Sequence, residues 1–474
     1  MTQWEAVIGL EVHTELKTAT KLFCGCPNAF GFEPNTSVCP VCLGLPGSLP
    51  VLNAKAVELA IRVGSALSSR VQASQFHRKN YFYPDMPKDY QISQYDVPVN
   101  AGGAVVLRSG KVVGIVRAHL EEDTGKLVHK GGDGRIGGAD YSLIDYNRSG
   151  VPLLEIVSEP DISSAEEAKE YVSELRAILV ATGASDGRME EGSLRVDANV
   201  SVRPVGSTEL RTRVEIKNVN SLRSLGRAIG YEVERQISEY ESGGSILQQT
   251  RHFDEASGKT LPLRAKEEAN DYRYFPEPDL PPIAPLQAEI DRIVGELPLL
   301  PAGRRVRLFG LMPGASSDQV EVAVTEEVWP YVVAGIEIGV APELVLARAA
   351  NELAALVGNA GFLTPERFAE VVALEERFSP SQVKLLLKEA VSFDGTVDEL
   401  VAKVGLSSSG AEDVRAMVGE VVEANPEEWR RFVAGDAKVA GFLLGQVMRK
   451  FGKAISGAQA KAALEELARG AAGL

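Results

Sequence analysis

Every cysteine of this 474-residue chain lies between residues 24 and 42, and this clustering is the strongest constraint on the local fold. The cysteines form two close pairs, Cys24 with Cys26 and Cys39 with Cys42. Two close pairs separated by a short loop are typical of tetrahedral zinc coordination by thiolates. Disulfides and four buried free thiols are the alternatives. A reducing compartment disfavours disulfides. Packing of free thiols does not explain why every cysteine lies between residues 24 and 42. Because four thiolates leave no open coordination position, the spacing predicts a structural zinc site.

Length and charge limit the class of protein. At about 150 residues per domain, the chain is long enough for roughly three domains. Its 65 acidic and 50 basic residues give a net charge of −15, which disfavours a chain that coats nucleic acid along its whole surface but leaves room for a local basic patch. The sequence contains no apolar run of about 18 residues and no recognisable signal peptide. We therefore expect a cytoplasmic protein that does not enter a membrane.

Segments before residue 295 alternate with the period of a β-strand. In VIGLEVH, Ile8, Leu10 and Val12 share one face, while Glu11 and His13 share the other. The stretches RVDANVSV and RVEIKN alternate in the same way. One-sided antiparallel sheets bury the apolar face and leave the polar face free. The pattern predicts an α+β fold in which an antiparallel-sheet cradle with a zinc knuckle lines a polar cleft.

A change of composition divides the chain near residue 295. Residues 275–301 include seven prolines, which favour an extended connector around one short helix. Beyond it, capping residues stand before helix-starting prolines at Thr364, Ser379 and Asn425. With a joint in GLSSSG, the predicted domains are the cradle at 1–295, a helical domain at 296–405 and a helical tail at 406–474.

Acidic residues from separated segments suggest a second metal site. Glu11 and His13 share a strand face, Glu121 lies in AHLEEDTGK, and Glu155 lies in GVPLLEIVSEPD. Carboxylates that converge from distant segments hold magnesium, which prefers oxygen ligands and also binds phosphate oxygens. The alternative is that they are solvated surface acids, which is the commoner case in a chain with 65 acids. Spacing alone leaves both interpretations open.

The segment HRKNYFYPDMPKDYQISQYD mixes cations with aromatic rings. Such a mixture suits contact with phosphate and stacking on a base, or equally an aromatic loop packed on the sheet. Under the first interpretation, ATP or the end of a tRNA contacts Lys79, Tyr81 and Lys88. A GxGxxG pattern at Gly132, Gly134 and Gly137 is not a dinucleotide site, because the residues that follow predict a strand and not a helix.

Several long blocks of this sequence closely resemble the B subunits of the bacterial aspartyl/glutamyl-tRNA amidotransferases. They include IGLEVHTELKTATKLFCGCPNAFG, VCPVCLGLPGSLPVLN, RKNYFYPDMPKDYQISQYD, HLEEDTGK, DYNRSGVPLLEIVSEPD and GSLRVDANVSVRP. The later NDYRYFPEPDLPP and GFLLGQVMRK also fit, so the resemblance extends over essentially the whole chain.

The resemblance implies a reaction and partners. Such enzymes are ligases that convert Glu-tRNA(Gln) or Asp-tRNA(Asn) to the correct amide with glutamine as amide donor. The carboxylate is first phosphorylated with ATP and magnesium, and ammonia then displaces phosphate. The ammonia comes from a separate amidase, which is the A subunit of these enzymes, and a small C subunit completes the heterotrimer.

The resemblance also implies roles for individual residues of this chain. The magnesium pocket corresponds to Glu11, His13, Glu121 and Glu155, with Asp197 and Glu215 as further acids. The zinc ligands correspond to Cys24, Cys26, Cys39 and Cys42. The helical tail corresponds to a tRNA-contacting domain whose basic residues here are Arg449, Lys450 and Lys453.

One feature of this chain departs from the usual pattern of the family. A glycine-rich insert at 131–138 lengthens the segment between Glu121 and Glu155 and predicts a longer hairpin.

Two other functions are weighed against the amidotransferase reaction. A non-catalytic, zinc-bearing scaffold that presents tRNA to a partner enzyme is the alternative function. A stand-alone zinc hydrolase is disfavoured because four thiolates leave the metal no open position.

Overall fold

The computed structural model describes residues 3–131, 138–263, 272–325, 327–406, 411–451, 455 and 457–471. The chain divides into two compact units, Met1–Gly303 and Arg304–Leu474. The first unit is rich in β-sheet, and the described residues of the second contain helices and no strand. The predicted α+β class, with a sheet-rich region followed by a helical one, is therefore confirmed.

The strands of the first unit are short except for three long ones near the middle of the sheet. They are β1 (Trp4–Glu15), β2 (Arg70–Val71), β3 (His77–Asn80), β4 (Tyr90–Ser93), β5 (Asn100–Ala101), β6 (Ala104–Val106), β7 (Val112–Glu122), β8 (Lys126–Lys130), β9 (Tyr141–Asp145), β10 (Pro152–Ser158), β11 (Leu194–Pro204), β12 (Val214–Val219), β13 (Gln249–Asp254), β14 (Lys259–Pro262) and β15 (Phe275–Pro276).

Both units contain helices. Those before residue 300 are α1 (Ala54–Ala66), α2 (Ala165–Ala181), α3 (Leu222–Glu241) and α4 (Gln287–Gly295). Those after it are α5 (Pro301–Leu311), α6 (Ser317–Ala323), α7 (Trp329–Glu337), α8 (Pro342–Asn351), α9 (Pro365–Ala373), α10 (Pro380–Ala390), α11 (Val397–Lys403), α12 (Ala411–Ala424), α13 (Pro426–Val433), α14 (Ala440–Phe451) and α15 (Gly457–Ala471). None of the described helices combines the length and apolar character needed to cross a membrane.

The main sheet runs in the order β14-β13-β12-β11-β1-β10-β7-β4-β3-β15. Its ladders are antiparallel except that β12 and β13 are parallel. The prediction of an antiparallel sheet is wrong for this one pair, because α3 connects the two strands and a helical crossover returns the chain in the same direction. Strands β8 and β9 pair only with each other and form a separate hairpin.

The alternation of β1 separates the core from the cleft. Ile8, Leu10 and Val12 are fully buried and belong to one apolar cluster that also includes residues of α1, α2 and α3. The N–H of Leu10 donates to Ser158 Oγ over 2.8 Å, next to the irregularity in the pairing of β10 with β7. Because helices cover the apolar face, the polar side chains of the same strands are left on the other face.

The helical unit contains two separate apolar clusters. One is formed by residues between 308 and 400, and the other by residues between 414 and 464. Thr364 and Ser379 cap their helices as predicted, and Ser379 completes a capping box with Gln382. The predicted cap at Asn425 is wrong in detail, because its side-chain amide donates to Val421 O and makes no capping bond to α13.

Candidate active site and metal centres

The polar face of the main sheet carries a row of charged side chains that crosses its central strands. Pairing places His13 of β1 opposite Glu155 of β10, and Glu155 opposite His119 of β7. On the other side of β1, Glu11 lies opposite Asp197 of β11. Since side chains of directly opposed residues share a face, the register alone brings these groups together.

Three of the predicted residues converge closely enough to hold one cation. His13 Nε2 lies 3.3 Å from Glu155 Oε2 and 3.9 Å from Glu121 Oε1. Candidate ligand atoms of His13, Glu121 and Glu155 all lie within 4.8 Å of one another. Ser93 Oγ donates to Glu121 Oε2 over 3.1 Å and fixes that carboxylate from β4.

His119 completes this cluster; the sequence places it in the same acidic segment as Glu121, but it is not among the predicted metal ligands. Its Nε2 lies 3.7 Å from Glu121 Oε2 and 3.5 Å from Glu155 Oε2. Arg117 Nε donates to His119 Nδ1 over 3.3 Å. Because an arginine nitrogen only donates, His119 Nδ1 accepts this bond, and its Nε2 faces the two carboxylates. The signal for His119 was its spacing of two from Glu121, which places both side chains on one strand face.

The electrostatics of the cluster favour a positive charge between the carboxylates. Burial lowers the pKa of His13, but the hydrogen bond to Glu155 and the charges of Glu155 and Glu121 outweigh it and raise that pKa to about 9. Burial raises the pKa of Glu155, but His119 and His13 hold it well below its usual range. Burial and the charge of Glu155 raise the pKa of Glu11. The two carboxylates therefore favour a positive charge between them.

The other predicted acids flank this cluster. Asn199 Nδ2 donates to Glu11 Oε1 over 2.9 Å. Lys217 Nζ lies 3.4 Å from Asp197 Oδ2 and 3.2 Å from Glu215 Oε1. Glu215 also accepts a 2.6 Å hydrogen bond from Thr250 of β13. Asp197 and Glu215 are thus balanced by Lys217, whereas Glu121 and Glu155 face two histidines.

A cavity of about 400 Å³ opens over this face. Lys79 and Tyr81 line it together with His13, Glu121 and Asp197. The remaining lining residues are Asp85, Gln91, Asp123, Thr124, Leu153, Arg195, Val196, Lys217, Val219, Asn220 and Tyr272. Lys79 Nζ lies 4.9 Å from the centre of the Tyr272 ring, so the ring holds the ammonium at the cavity wall. The cavity combines carboxylates with ammonium groups, as a site for a metal-bound polyphosphate requires.

The structure places Lys88 apart from Lys79 and Tyr81. Its Nζ pairs with Glu122 at 2.5 Å, and both side chains are buried. The Ile92 N–H donates to the same carboxylate over 2.8 Å. Glu122 and Glu121 are adjacent in β7, so their side chains point to opposite faces of the sheet. Since its ammonium is committed to Glu122, Lys88 is not a candidate for contact with ATP or tRNA.

We expect Lys88→Met to destabilise the chain by about 3–5 kcal/mol, because it leaves Glu122 buried without its counter-charge. Chemical denaturation of the variant measures this loss. Lys88→Met combined with Glu122→Gln removes both charges and should recover most of the stability. If the double variant is as unstable as Lys88→Met alone, the loss of stability does not come from the broken ion pair.

The four cysteines lie together, as predicted. Their sulfur atoms are within 4.8 Å of one another, and Cys42 Sγ lies 3.9 Å from Cys39 Sγ. Tetrahedral zinc with bonds of about 2.3 Å separates its sulfur ligands by about 3.8 Å, so the donor set and spacing fit that metal. The hydrogen bond with Cys24 lowers the pKa of Cys42; burial raises it, and the Cys39 N–H and the charge of Lys21 lower it further.

The cysteine cluster packs beside the Lys88–Glu122 pair. A small cavity of about 50 Å³ is lined by Cys24, Cys42, Lys88, Glu122 and Gly150, among others. Gly150 has φ of +83°, and a Cβ there would lie 3.5 Å from Cys42 Cβ and 4.0 Å from Glu122 Oε2. The cysteine cluster thus lies next to Glu122 at the end of β7, one residue from Glu121.

Comparison with known proteins shows the family of this chain. Residues 6–291 match the profile of the GatB/GatE catalytic domain, and residues 344–467 match that of the GatB domain. The chain belongs to this family. The B subunit of the aspartyl/glutamyl-tRNA(Asn/Gln) amidotransferase from a Picosynechococcus species is 46% identical over 472 residues, 95% of this chain and 94% of its own length.

Two further relatives with the same name are equally similar to this GatB-family chain. That of Caldanaerobacter subterraneus is 46% identical over 461 residues, 94% of this chain and 96% of its own length. That of Carboxydothermus hydrogenoformans is 46% identical over 466 residues, 95% and 96% of the two lengths. The family resemblance predicted from the sequence blocks is confirmed, and with it the assignment to the amidotransferase B subunits.

The basic residues predicted to contact tRNA lie in or near α14. Arg449 and Lys450 are exposed in its last turn, and Lys450 pairs with Glu420 of α12. Lys453 lies outside the described residues, as do the glycines of the GxGxxG pattern. Within the described tail, Arg449 is the exposed cation of the predicted set that makes no ion pair.

Proposed function

We propose that this GatB-family chain phosphorylates the side-chain carboxylate of Glu-tRNA(Gln) or Asp-tRNA(Asn) with ATP and then amidates it. A carboxylate oxygen attacks the γ-phosphorus of ATP and ADP leaves. Ammonia then attacks the activated carbonyl carbon, inorganic phosphate leaves, and the new amide nitrogen loses a proton. The convergence of His13, Glu121 and Glu155, the first two of which line a polar cavity, is the observation that carries this proposal.

Magnesium is the cation that best fits the cluster. Glu121 and Glu155 offer oxygen ligands, Glu11 lies beside them, and the pKa of His13 is raised because the carboxylates draw a positive charge. When bound, magnesium neutralises phosphate oxygens and orients the phosphoryl group. His13 is the exceptional member because magnesium prefers oxygen, so its role is to hold water or a phosphate oxygen. His119 and Ser93 keep Glu121 and Glu155 in place.

Two lysines of the cavity are placed to bind phosphate groups. Lys79 and Lys217 both line it, and each brings an ammonium group into the space that the acids also border. Tyr81 and Tyr272 line the same cavity and offer ring faces to a base. We assign Lys79 and Tyr81 to ATP or the tRNA end, and Asp197 and Glu215 to holding Lys217 in position.

The cysteine cluster is assigned to structural zinc. Four sulfur ligands close the coordination shell, so the metal supplies rigidity and no chemistry. We also propose that the helical region divides into domains at 296–405 and 406–474, since its two apolar clusters contain no common residue.

The proposed partners are an amidase (the A subunit), which releases ammonia from glutamine, and a small C subunit. The test is a purified complex of the three proteins supplied with mischarged tRNA, ATP and magnesium. We expect ATP cleavage that depends on the tRNA, and amidation that continues when ammonium chloride replaces glutamine. His13→Ala should abolish both, with either nitrogen source. If His13→Ala leaves ATP cleavage unchanged, the chain is a scaffold that presents tRNA to its partner.

We expect Arg449→Ala to weaken tRNA binding by the complex, because it removes one phosphate contact. Filter binding across a range of salt concentrations should show a slope of log K against log salt reduced by about one. Arg415→Ala is the matched control, because Arg415 lies in the same unit and pairs with Glu466. An unchanged slope for Arg449→Ala would remove this residue from the interface.

A further inference from the structure

A fully buried lysine contacts the cysteine cluster. Lys21 is 0% exposed, and its ammonium nitrogen lies 2.8 Å from Ser37 O, 3.4 Å from Tyr146 O and 3.8 Å from Cys42 Sγ. An ammonium has three N–H donors, so each of these contacts accounts for one. The side chain therefore has a defined position and direction.

The buried charge of Lys21 lacks the usual kind of partner. Within the described part of the chain its two oxygen contacts are neutral backbone carbonyls, and no carboxylate forms an ion pair with it. A buried ammonium is costly unless an anion compensates its charge. Cys42 Sγ is the contact that can carry this negative charge, as a thiolate.

The surroundings of Cys42 also favour a thiolate. Its sulfur accepts the backbone N–H of Cys39 over 3.1 Å in addition to the contact with Lys21. Four thiolates with one divalent cation give the cluster a net charge of −2. Lys21 reduces this to −1 without occupying a coordination position. Four neutral thiols would leave Lys21 uncompensated, so its burial favours at least one thiolate in the cluster.

Lys21 also connects the cluster to the segment that leads into β10. Its contact with Tyr146 O is one of several bonds between the cysteine-bearing region and residues 144–147. Ser37 N donates to Asn147 Oδ1 over 2.7 Å, and Asn35 Nδ2 donates to Ile144 O over 2.9 Å. The loop held in this way continues to Pro152, where the strand that carries Glu155 begins.

We propose that Lys21 is a positioning residue of the zinc centre, which balances its charge and ties it to the loop before β10. The inference rests on the zinc site of the proposed function. It goes further by assigning part of the zinc affinity to a residue that is not a ligand. Outer contacts of this kind typically contribute 10- to 100-fold to metal affinity.

The experiment compares Lys21→Met with Lys17→Met in the full chain. Methionine keeps the length and apolar stem of Lys21 without its charge, and Lys17 is an exposed lysine four residues away. Zinc affinity is measured by competition with a chromophoric chelator. We expect Lys21→Met to bind zinc 10- to 100-fold more weakly and Lys17→Met to match the parent chain. Equal affinities for all three proteins would overturn the proposal.

Thermal unfolding with and without zinc separates charge balance from packing. In the zinc-free protein Lys21 faces at most the single charge of Cys42 and not a cluster of charge −2, so Lys21→Met should unfold close to the parent temperature. In the zinc-loaded protein it should unfold below the parent. Equal destabilisation in both states indicates a packing role and overturns the proposal.

If Lys21→Met does not fold, Lys21→Arg provides the test, because it keeps the charge but changes the shape. Zinc affinity close to the parent value supports charge balance, and loss of zinc from a folded Lys21→Arg contradicts it. Failure of the parent chain to bind zinc would refute the zinc site itself. Neither result depends on the transamidation reaction, so the failures can be told apart.

Discussion

Glu121→Gln is expected to lower tRNA-dependent ATP cleavage by the assembled complex by about 10²- to 10³-fold, a loss typical of removing one preorganised charge from a reacting phosphoryl group. Glu121 is 4% exposed and receives Ser93 Oγ on one oxygen. Glutamine has the same shape but presents no negative charge to a cation. The folded state should persist, because His13 and His119 keep Glu155 as a partner.

The readouts separate chemistry from folding and assembly. Glu209→Gln is the matched control, since Glu209 is exposed and lies outside the cavity. Glutamine hydrolysis by the partner amidase without tRNA should be unaffected by either substitution. Magnesium titration should show a higher half-saturating concentration for Glu121→Gln. If its ATP cleavage equals that of Glu209→Gln, the carboxylate cluster is not the catalytic site.

Removal of zinc is expected to lower the unfolding temperature of the sheet-rich unit by roughly 10 °C. The expectation takes about 3 kcal/mol for a metal centre within an otherwise packed unit, and 2–4 °C per kcal/mol for a protein of this size. The cluster packs against Gly150 and lines a cavity with the Lys88–Glu122 pair, so its loss loosens the end of β7. Calorimetry before and after dialysis against a chelator measures the shift.

Re-addition of metal and one substitution provide the controls. Zinc should restore the original unfolding temperature, whereas magnesium should not, because thiolates bind it poorly. Cys39→Ser should unfold early in zinc-containing buffer and nearly match the parent chain once both are stripped. If the unfolding temperature is the same with and without zinc, the cysteines contribute to packing only and do not form a structural metal site.

The sequence predicted the faces of the strands but not their register. Alternation correctly placed Glu11 and His13 on the polar face of β1, because side-chain direction follows from the period of two. The partners of His13 depend on which strands pair and in what register, which is a property of the whole sheet. His119 and Lys217 were therefore recognised as polar-face residues, but their partners in the site were not predicted.

The error at Lys88 has a different physical cause. A lysine in a segment rich in rings suits phosphate as well as it suits an acid, and its actual partner, Glu122, lies 34 residues further along. The adjacent acids of HLEEDTGK look alike in the sequence, although β7 directs Glu121 into the cavity and Glu122 away from it. The pleat of the folded strand decides that Glu121 is a candidate metal ligand and that Glu122 is the buried partner of Lys88.

The separate hairpin of β8 and β9 determines where this chain tolerates extra length. Its strands pair with each other and with no strand of the main sheet, and the glycine-rich insert lies between them in the sequence. Residues added there leave the alignment of β7 with β10 unchanged, whereas one residue added within either strand would turn its polar side chains to the opposite face. A label attached between β8 and β9 is therefore expected to leave the register of the carboxylate-bearing strands unchanged.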